Sequence, residues 1–217
     1  MLKQDALARI VRGVSKFRSE IFPAQREMFE RLQRGQDPLG LFITCADSRV
    51  NPNLVTQTDP GEIFIERNPG NMVPPSVEFV GGVTAGVEYA MLVLKVPVIV
   101  VCGHTDCGVM KALLDPGAVH GMPGVQRWMS HGIAARERML QELPYARKEE
   151  QLLRLTEYNV LQQIENLMTH PSVRRRTRYG ELEIRGWVYD IGDGSVREYN
   201  PSTRKFEDLG AVGETST

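Results

Sequence analysis

The sequence predicts an α/β fold with a mainly parallel sheet, and three observations predict it. Short β-branched runs alternate with amphipathic helical stretches along the chain, the pattern of strand–helix–strand units. The run Val96-Pro97-Val98-Ile99-Val100-Val101-Cys102 has no polar position, as befits a strand covered on both faces. Two polar turns rich in Cys, His and Asp stand directly after apolar runs, where open α/β sheets build their sites.

Taken in order, residues 2–19 and 22–34 read as amphipathic helices broken at Ile21-Phe22-Pro23, with Leu7, Ile10, Val11 and Val14 spaced by three and four. Leu39 to Thr44 is an apolar run ending at Cys45 and suits a buried strand. Glu62–Glu66 is a second strand, and the loop Asn68-Pro69-Gly70-Asn71 separates it from a helix over 77–94. Val96–Cys102 is the third strand. A short helix follows Cys107, and a Gly/Pro-bearing loop over 115–124 precedes helices 125–142 and 147–169, the second long and Leu-rich. Glu183–Asp190 is a fourth strand, and the turn Gly192-Asp193-Gly194 with Ser195–Tyr199 makes it a hairpin. The tail after Leu209 is expected to be disordered. This organisation amounts to an N-terminal helical arm over 1–36, an α/β domain over 37–209 and a flexible tail over 210–217.

A chain of 217 residues affords one sizeable core with appendages. Its 41% hydrophobic and 24% charged residues are those of an ordinary globular protein. A net charge of -1 leaves no global attraction to nucleic acid or to an anionic membrane. No apolar run approaches the roughly 20 residues of a spanning helix, and Lys, Arg and Asp interrupt the N-terminal stretch where a signal peptide would be apolar. Three cysteines suggest no disulfide framework, so a reducing, cytoplasmic location is expected. The basic run Arg174-Arg175-Arg176-Thr177-Arg178 reads as a solvated face after a helix rather than a phosphate site.

The chemistry concentrates in Thr44-Cys45-Ala46-Asp47-Ser48-Arg49 and Gly103-His104-Thr105-Asp106-Cys107-Gly108. Cys45 ends the first strand and His104–Cys107 follow the third, so a parallel sheet puts both on one edge. Two thiolates and an imidazole form the soft-donor set of catalytic zinc with an open fourth position. On spacing alone, a buried Cys and a capping His remain the alternative. Cys102 lies inside the apolar run and reads as core. His120, His131 and His170 have no partner pattern and default to surface or loop roles. Asp47 and Arg49, two apart, suit a carboxylate kept ionised and oriented by a guanidinium. Asp47 then either accepts a hydrogen bond from zinc-bound hydroxide or takes the fourth zinc position, and a turn-stabilising ion pair is the plainer alternative. Asp106 reads as an exposed turn or helix-start residue.

These residues resemble the β-class carbonic anhydrases, with their C-x-D-x-R and H-x-x-C pair. The likeness runs from Gln36 to Leu114 through Gly61-Glu62-Ile63-Phe64, Arg67-Asn68, Asn71-Met72-Val73-Pro74-Pro75 and Gly86-Val87-Glu88-Tyr89-Ala90, and more loosely through Gly186-Trp187-Val188-Tyr189. The resemblance implies that Cys45, His104 and Cys107 ligate Zn2+ and that Asp47–Arg49 is the catalytic dyad. Arg49 would hold Asp47 off the metal in an open form, with Asp47 the fourth ligand in a closed, inactive one. Gln36 would orient the substrate, and Phe64 and Tyr89, at the dimer interface, would line a narrow pocket in which Val50 adds an apolar wall for CO2. The implied fold is a four-stranded parallel core with an extra edge strand, flanked by helices, with N-terminal helices embracing a dimer partner. The implied activity is that of a lyase acting in a homodimer or higher homo-oligomer. It hydrates CO2 reversibly to bicarbonate and a proton by zinc-bound hydroxide.

One branch of that family carries a noncatalytic bicarbonate site of Trp, Arg and Tyr. Arg67 and Tyr189 match, whereas Phe42 replaces the Trp and lacks its indole N–H. Two other readings are hydrolysis of carbonyl sulfide or carbon disulfide on the same fold, and a zinc-binding interaction module without turnover in which Asp47 stays on the metal.

Overall fold

The computed structural model describes residues 3–76 and 81–210, and the chain forms two compact units, Met1–Asp37 and Pro38–Thr217. In the first, α1 (Lys3–Lys16) runs through a wider, π-type turn at Phe17–Ile21 into the single turn α2 (Phe22–Ala24), and α3 (Arg26–Leu32) follows. The break falls at Gln25 (φ -114°, ψ 24°), not at Ile21-Phe22-Pro23. Pro23 donates no N–H and its ring crowds the carbonyl four residues back; the wide turn before it relieves both demands without ending the helix. Phe22 and Phe29 stack at 4.8 Å, and Phe17 meets both edge-on at 6.0 and 5.7 Å. The four apolar residues spaced along α1 stay open, from 53% exposed at Val11 to 66% at Ile10.

The second unit runs β1 (Gly40–Cys45), α4 (Pro52–Thr56), β2 (Ile63–Asn68), α5 (Gly82–Tyr89), β3 (Val98–His104), α6 (Gly108–Leu114), α7 (Pro123–Trp128), α8 (Ile133–Glu142), α9 (Lys148–Leu167), α10 (Pro171–Arg178), β4 (Glu183–Tyr189), β5 (Val196–Asn200) and β6 (Lys205–Asp208). The sheet order is β2-β1-β3-β4-β5-β6. The first four strands are parallel and the last two antiparallel, so the expected parallel core is present. The expected edge strand is a pair, because the short, charged β6 carries little strand pattern of its own. The chain passes from β1 to β2 on one side and then to β3 on the other, which opens a crevice at the carboxyl ends of β1 and β3.

One sheet face bears Leu41, Ile43, Ile99, Val101 and Val188, packed with Val83, Val87, Val160 and Leu167 of α5 and α9. A smaller cluster of Phe42, Val100 and Cys102 occupies the other face, where Phe42 meets Trp187 edge-on at 5.9 Å. Cys102 is therefore core, its thiol pushed up to about 12 by burial.

The helix expected over 77–94 is present from Gly82 and continues through a wider turn to Leu94, while residues 77–80 and the tail from 211 lie outside those described. Other expectations need correction. The stretch 125–142 is split by a tight turn at Met129–Gly132, where a β-carbon on Gly132 would meet Leu113 and Met72 at 2.8 Å. The basic run lies on α10 rather than after a helix, begun by Pro171 in its first turn. Its Arg176 donates to the carbonyls of Lys95 and Val96. His170 lies in the loop between α9 and α10, as one of its two expected roles had it, but is buried there rather than at the surface, its Nε2 3.0 Å from the Pro74 carbonyl.

Gly103 and Gly186 let α9 lie close on β3 and β4. A β-carbon at Gly103 would stand 2.9 Å from Val160 Cγ2 and 3.1 Å from Thr156 Cγ2, both on stiff β-branched side chains. Gly103→Ala is expected to lower unfolding free energy by about 1–3 kcal/mol, read from urea denaturation.

Candidate metal centre

Three donors converge where β1 and β3 end. Cys45 Sγ, a His104 ring nitrogen and Cys107 Sγ all lie within 4.8 Å of one another, and all three residues are buried. The two sulfurs are 4.0 Å apart, close to the separation of about 3.8 Å that two thiolates on one tetrahedral zinc would have. His104 Nδ1 faces the Thr105 carbonyl at 2.8 Å; a carbonyl only accepts, so Nδ1 carries the proton and Nε2 keeps its lone pair. Nε2 is buried and has no partner. An orphaned acceptor beside two thiols is a set that a soft divalent cation satisfies, so the residues fit zinc.

Each donor is placed by its neighbours. His104 pairs with Tyr189 of β4, and the following turn is anchored there by Thr105 N–H donating to the Tyr189 carbonyl. Cys45 receives the Gly70 N–H at 3.3 Å. Gly70 sits at φ +76°, and a β-carbon there would strike Val109 Cγ1 at 2.9 Å, so only glycine delivers that N–H. The strap around Gly70 is fastened by the Asn68 side chain bonding both N–H and C=O of Met72, by Trp128 Nε1 donating to the Pro69 carbonyl and by Asn159 Nδ2 donating to the Gly70 carbonyl. Next along α9, Gln163 Oε1 accepts the Val73 N–H and Asn166 Nδ2 donates to the Val73 carbonyl. The Leu-rich reading of this helix missed that buried polar row.

The thiols share a proton. The hydrogen bond with Cys107, helped by the Gly70 N–H, draws Cys45 down to about 4 against its burial. The same contact, together with burial, pushes Cys107 up. One thiolate is thus ready for a cation.

Asp47 and Arg49 form a bidentate pair, Nε to Oδ1 at 3.0 Å and Nη2 to Oδ2 at 2.8 Å, and the Arg49 N–H adds a third bond to Oδ1. These bonds hold the Asp47 carboxyl well below the usual carboxylate range. Its Oδ2 stands 3.9 Å from His104 Nε2, at the mouth of the donor set. Val50 is buried beside it, donating its N–H to the Asp47 carbonyl. Phe64 and Tyr89 instead pair with each other at 5.9 Å. Phe64 aligns with Leu41 and so stands four residues, about 13 Å, up the strand from the Cys45 end. Gln36 belongs to the first unit and is exposed.

Two residues gain roles that motif reading did not give them. Arg67 donates Nε to the Cys45 carbonyl and Nη2 to the Asp47 carbonyl, fixing the segment that carries both side chains. Asp106 is exposed in a turn, as expected, yet accepts from Arg49 Nη1 at 2.9 Å. Its one local mark is φ +60°, a conformation that Asp tolerates better than most residues.

The family described as Carbonic anhydrase matches residues 40–196. A carbonic anhydrase of Pseudomonas aeruginosa is 43% identical over 92% of this chain and 90% of its own. One of Synechococcus elongatus is 42% identical over 88% of this chain and 70% of its own. Among solved structures, the β-carbonic anhydrase CcaA superposes with a TM-score of 0.91 at 38% identity, covering 94% of this chain and 99% of that one. A tetrameric β-carbonic anhydrase of Sordaria macrospora gives 0.80 at 30% identity, covering 89% and 96%.

Removing a donor should abolish tight metal binding, and removing the core thiol should not. His104→Ala and Cys45→Ala are expected to weaken zinc by more than the 10–100-fold that loss of an outer-shell partner costs, measured by competition with a chromophoric chelator. Cys102→Ala should leave that affinity within about twofold of wild type.

Proposed function

The chain belongs to the β-class carbonic anhydrases, enzymes of CO2 hydration, and we propose that it works with Zn2+ held by Cys45 Sγ, His104 Nε2 and Cys107 Sγ. The observation that carries this reading is the buried, unpartnered His104 Nε2 facing two thiols. Zinc in such a set acidifies a bound water toward neutral pH and draws off charge that develops on oxygen.

The residues around the donors take the remaining tasks. Asp47, kept ionised by Arg49, accepts a hydrogen bond at Oδ2 from the attacking water and so aims its lone pair. The same position lets Asp47 become the fourth ligand in a closed form, and Arg49 opposes that by retaining it. Val50 offers an apolar wall to CO2, a small uncharged molecule that needs no charged partner. Gln36 offers an amide N–H to a substrate oxygen. Phe64, far up its strand from the Cys45 end, and Tyr89 of α5 beside it line the pocket of a neighbouring copy.

That last assignment requires an oligomer, and the arm over 1–36 supports one. Leu7, Ile10, Val11 and Val14 present an open apolar face, which a second copy of the chain covers in a homodimer or larger assembly. A tetramer is known for the Sordaria macrospora relative. Among the described residues no helix is long and apolar enough to cross a membrane. A cytoplasmic site of action, with CO2 and bicarbonate as the small-molecule partners and no nucleic acid, belongs to the same proposal.

Stopped-flow hydration of CO2 by the zinc-loaded protein tests the activity. Asp47→Ala should lower kcat/KM by about 100-fold while zinc content stays stoichiometric. Negligible CO2 turnover by the wild type, with brisk hydrolysis of carbonyl sulfide, would overturn the substrate assignment. For the assembly, the double variant Ile10→Asp/Val14→Asp should sediment as a smaller species than wild type.

A further inference from the structure

Arg49 is gripped from two sides. Asp47 takes Nε and Nη2. On the far side Asp106 receives Nη1 at its carboxylate, 2.9 Å, and Nη2 at its main-chain carbonyl, 3.3 Å. Asp106 is braced in turn, for the Lys111 ammonium of α6 ion-pairs with its other carboxylate oxygen. Four alternating charges, Lys111, Asp106, Arg49 and Asp47, therefore run inward from the surface to the mouth of the donor set.

The outer half of this chain is solvent-facing. The Arg49 side chain is 43% exposed and those of Asp106 and Lys111 are each 52% exposed. Exposed pairs add little to stability on their own. Their value lies in location, because a long, flexible guanidinium loses much rotamer freedom when a single carboxylate must hold it. Lys111 offsets the charge of Asp106, so the added field at Arg49 is small, whereas the fixed position is not.

We propose that Asp106, braced by Lys111, is a positioning residue that holds Arg49 where it retains Asp47, and thereby sets how readily Asp47 reaches the metal pocket. With Asp106 in place, Arg49 is ordered before Asp47 joins it, and the Asp47–Arg49 pair forms at lower entropic cost. Without it, Asp47 alone must order Arg49, and Asp47 spends more time facing His104 Nε2. The inference rests on the reading of Asp47 as the group that competes for the fourth metal position.

The test titrates azide into the full-length cobalt(II)-substituted protein and follows the visible absorption bands. Azide needs the position that Asp47 would fill, so its affinity reports how often Asp47 is away. Asp106→Asn suits the purpose because Asn tolerates φ +60°, which removes the charge without straining the turn. Azide affinity is expected to fall about fivefold in D106N, to fall less in K111M, and to rise in D47A. In D106N/D47A it should equal that of D47A, since Asp106 acts only through Asp47. Equal affinity in wild type and D106N overturns the inference and leaves the reading of Asp47 standing. An unchanged affinity in D47A defeats that reading instead. A D106N defect that persists in the double variant overturns the inference by giving Asp106 an independent effect.

Discussion

The parallel pairing of β1 with β3 is the constraint on which the rest depends. Thr44 aligns with Cys102, so Cys45 and His104 leave the sheet at neighbouring points on one edge. A slip of one residue would turn every side chain of a strand to the opposite face. It would expose Leu41 and Ile43 to the wrong cluster and carry the Cys45 sulfur away from that of Cys107. Burial of the sheet's apolar residues therefore also fixes the position of the thiols. The same energy that makes the core makes the donor set, which is why the three candidate ligands need no flexible loop to bring them together.

What the sequence revealed and what it hid follow from the range of the interactions. Cys45 and His104 were legible because each closes an apolar run, and Cys107 because it stands three residues on in the same polar turn, although spacing alone also allowed a buried Cys and a capping His. Asp47 and Arg49 were legible because their pair closes over two residues. Arg67 and Asp106 were not, since they reach Asp47 and Arg49 across 20 and 57 positions and leave no periodicity behind. The short strand β6 was hidden for the related reason that four charged and aromatic residues pair only because β5 is already in place. Burial of His170, read as a surface or loop residue, was hidden because nothing nearby announces the Pro74 carbonyl it meets.

The dyad combines rigidity with a narrow choice. Asp47 is held ionised by three bonds from one residue, and in the function proposed above it would exchange that residue for a metal. A carboxylate with two good positions separated by a side-chain rotation is a bistable element of the kind that switches use. Arg67 ties down the backbone that carries Asp47, so such an exchange would be left to the side chain.

The polar row of α9 has a different consequence. Asn159, Gln163 and Asn166 bond the Gly70 carbonyl, the Val73 N–H and the Val73 carbonyl, and beyond the helix Thr169 and His170 continue to the Ser76 N–H and Pro74 carbonyl. Every one of these bonds ends on a main-chain atom of the strap. The helix therefore grips the path of the chain and is indifferent to most of the side chains along it. A changed side chain in the strap leaves these bonds in place wherever the path of the chain is kept, whereas changing Asn159, Gln163 or Asn166 removes a bond outright.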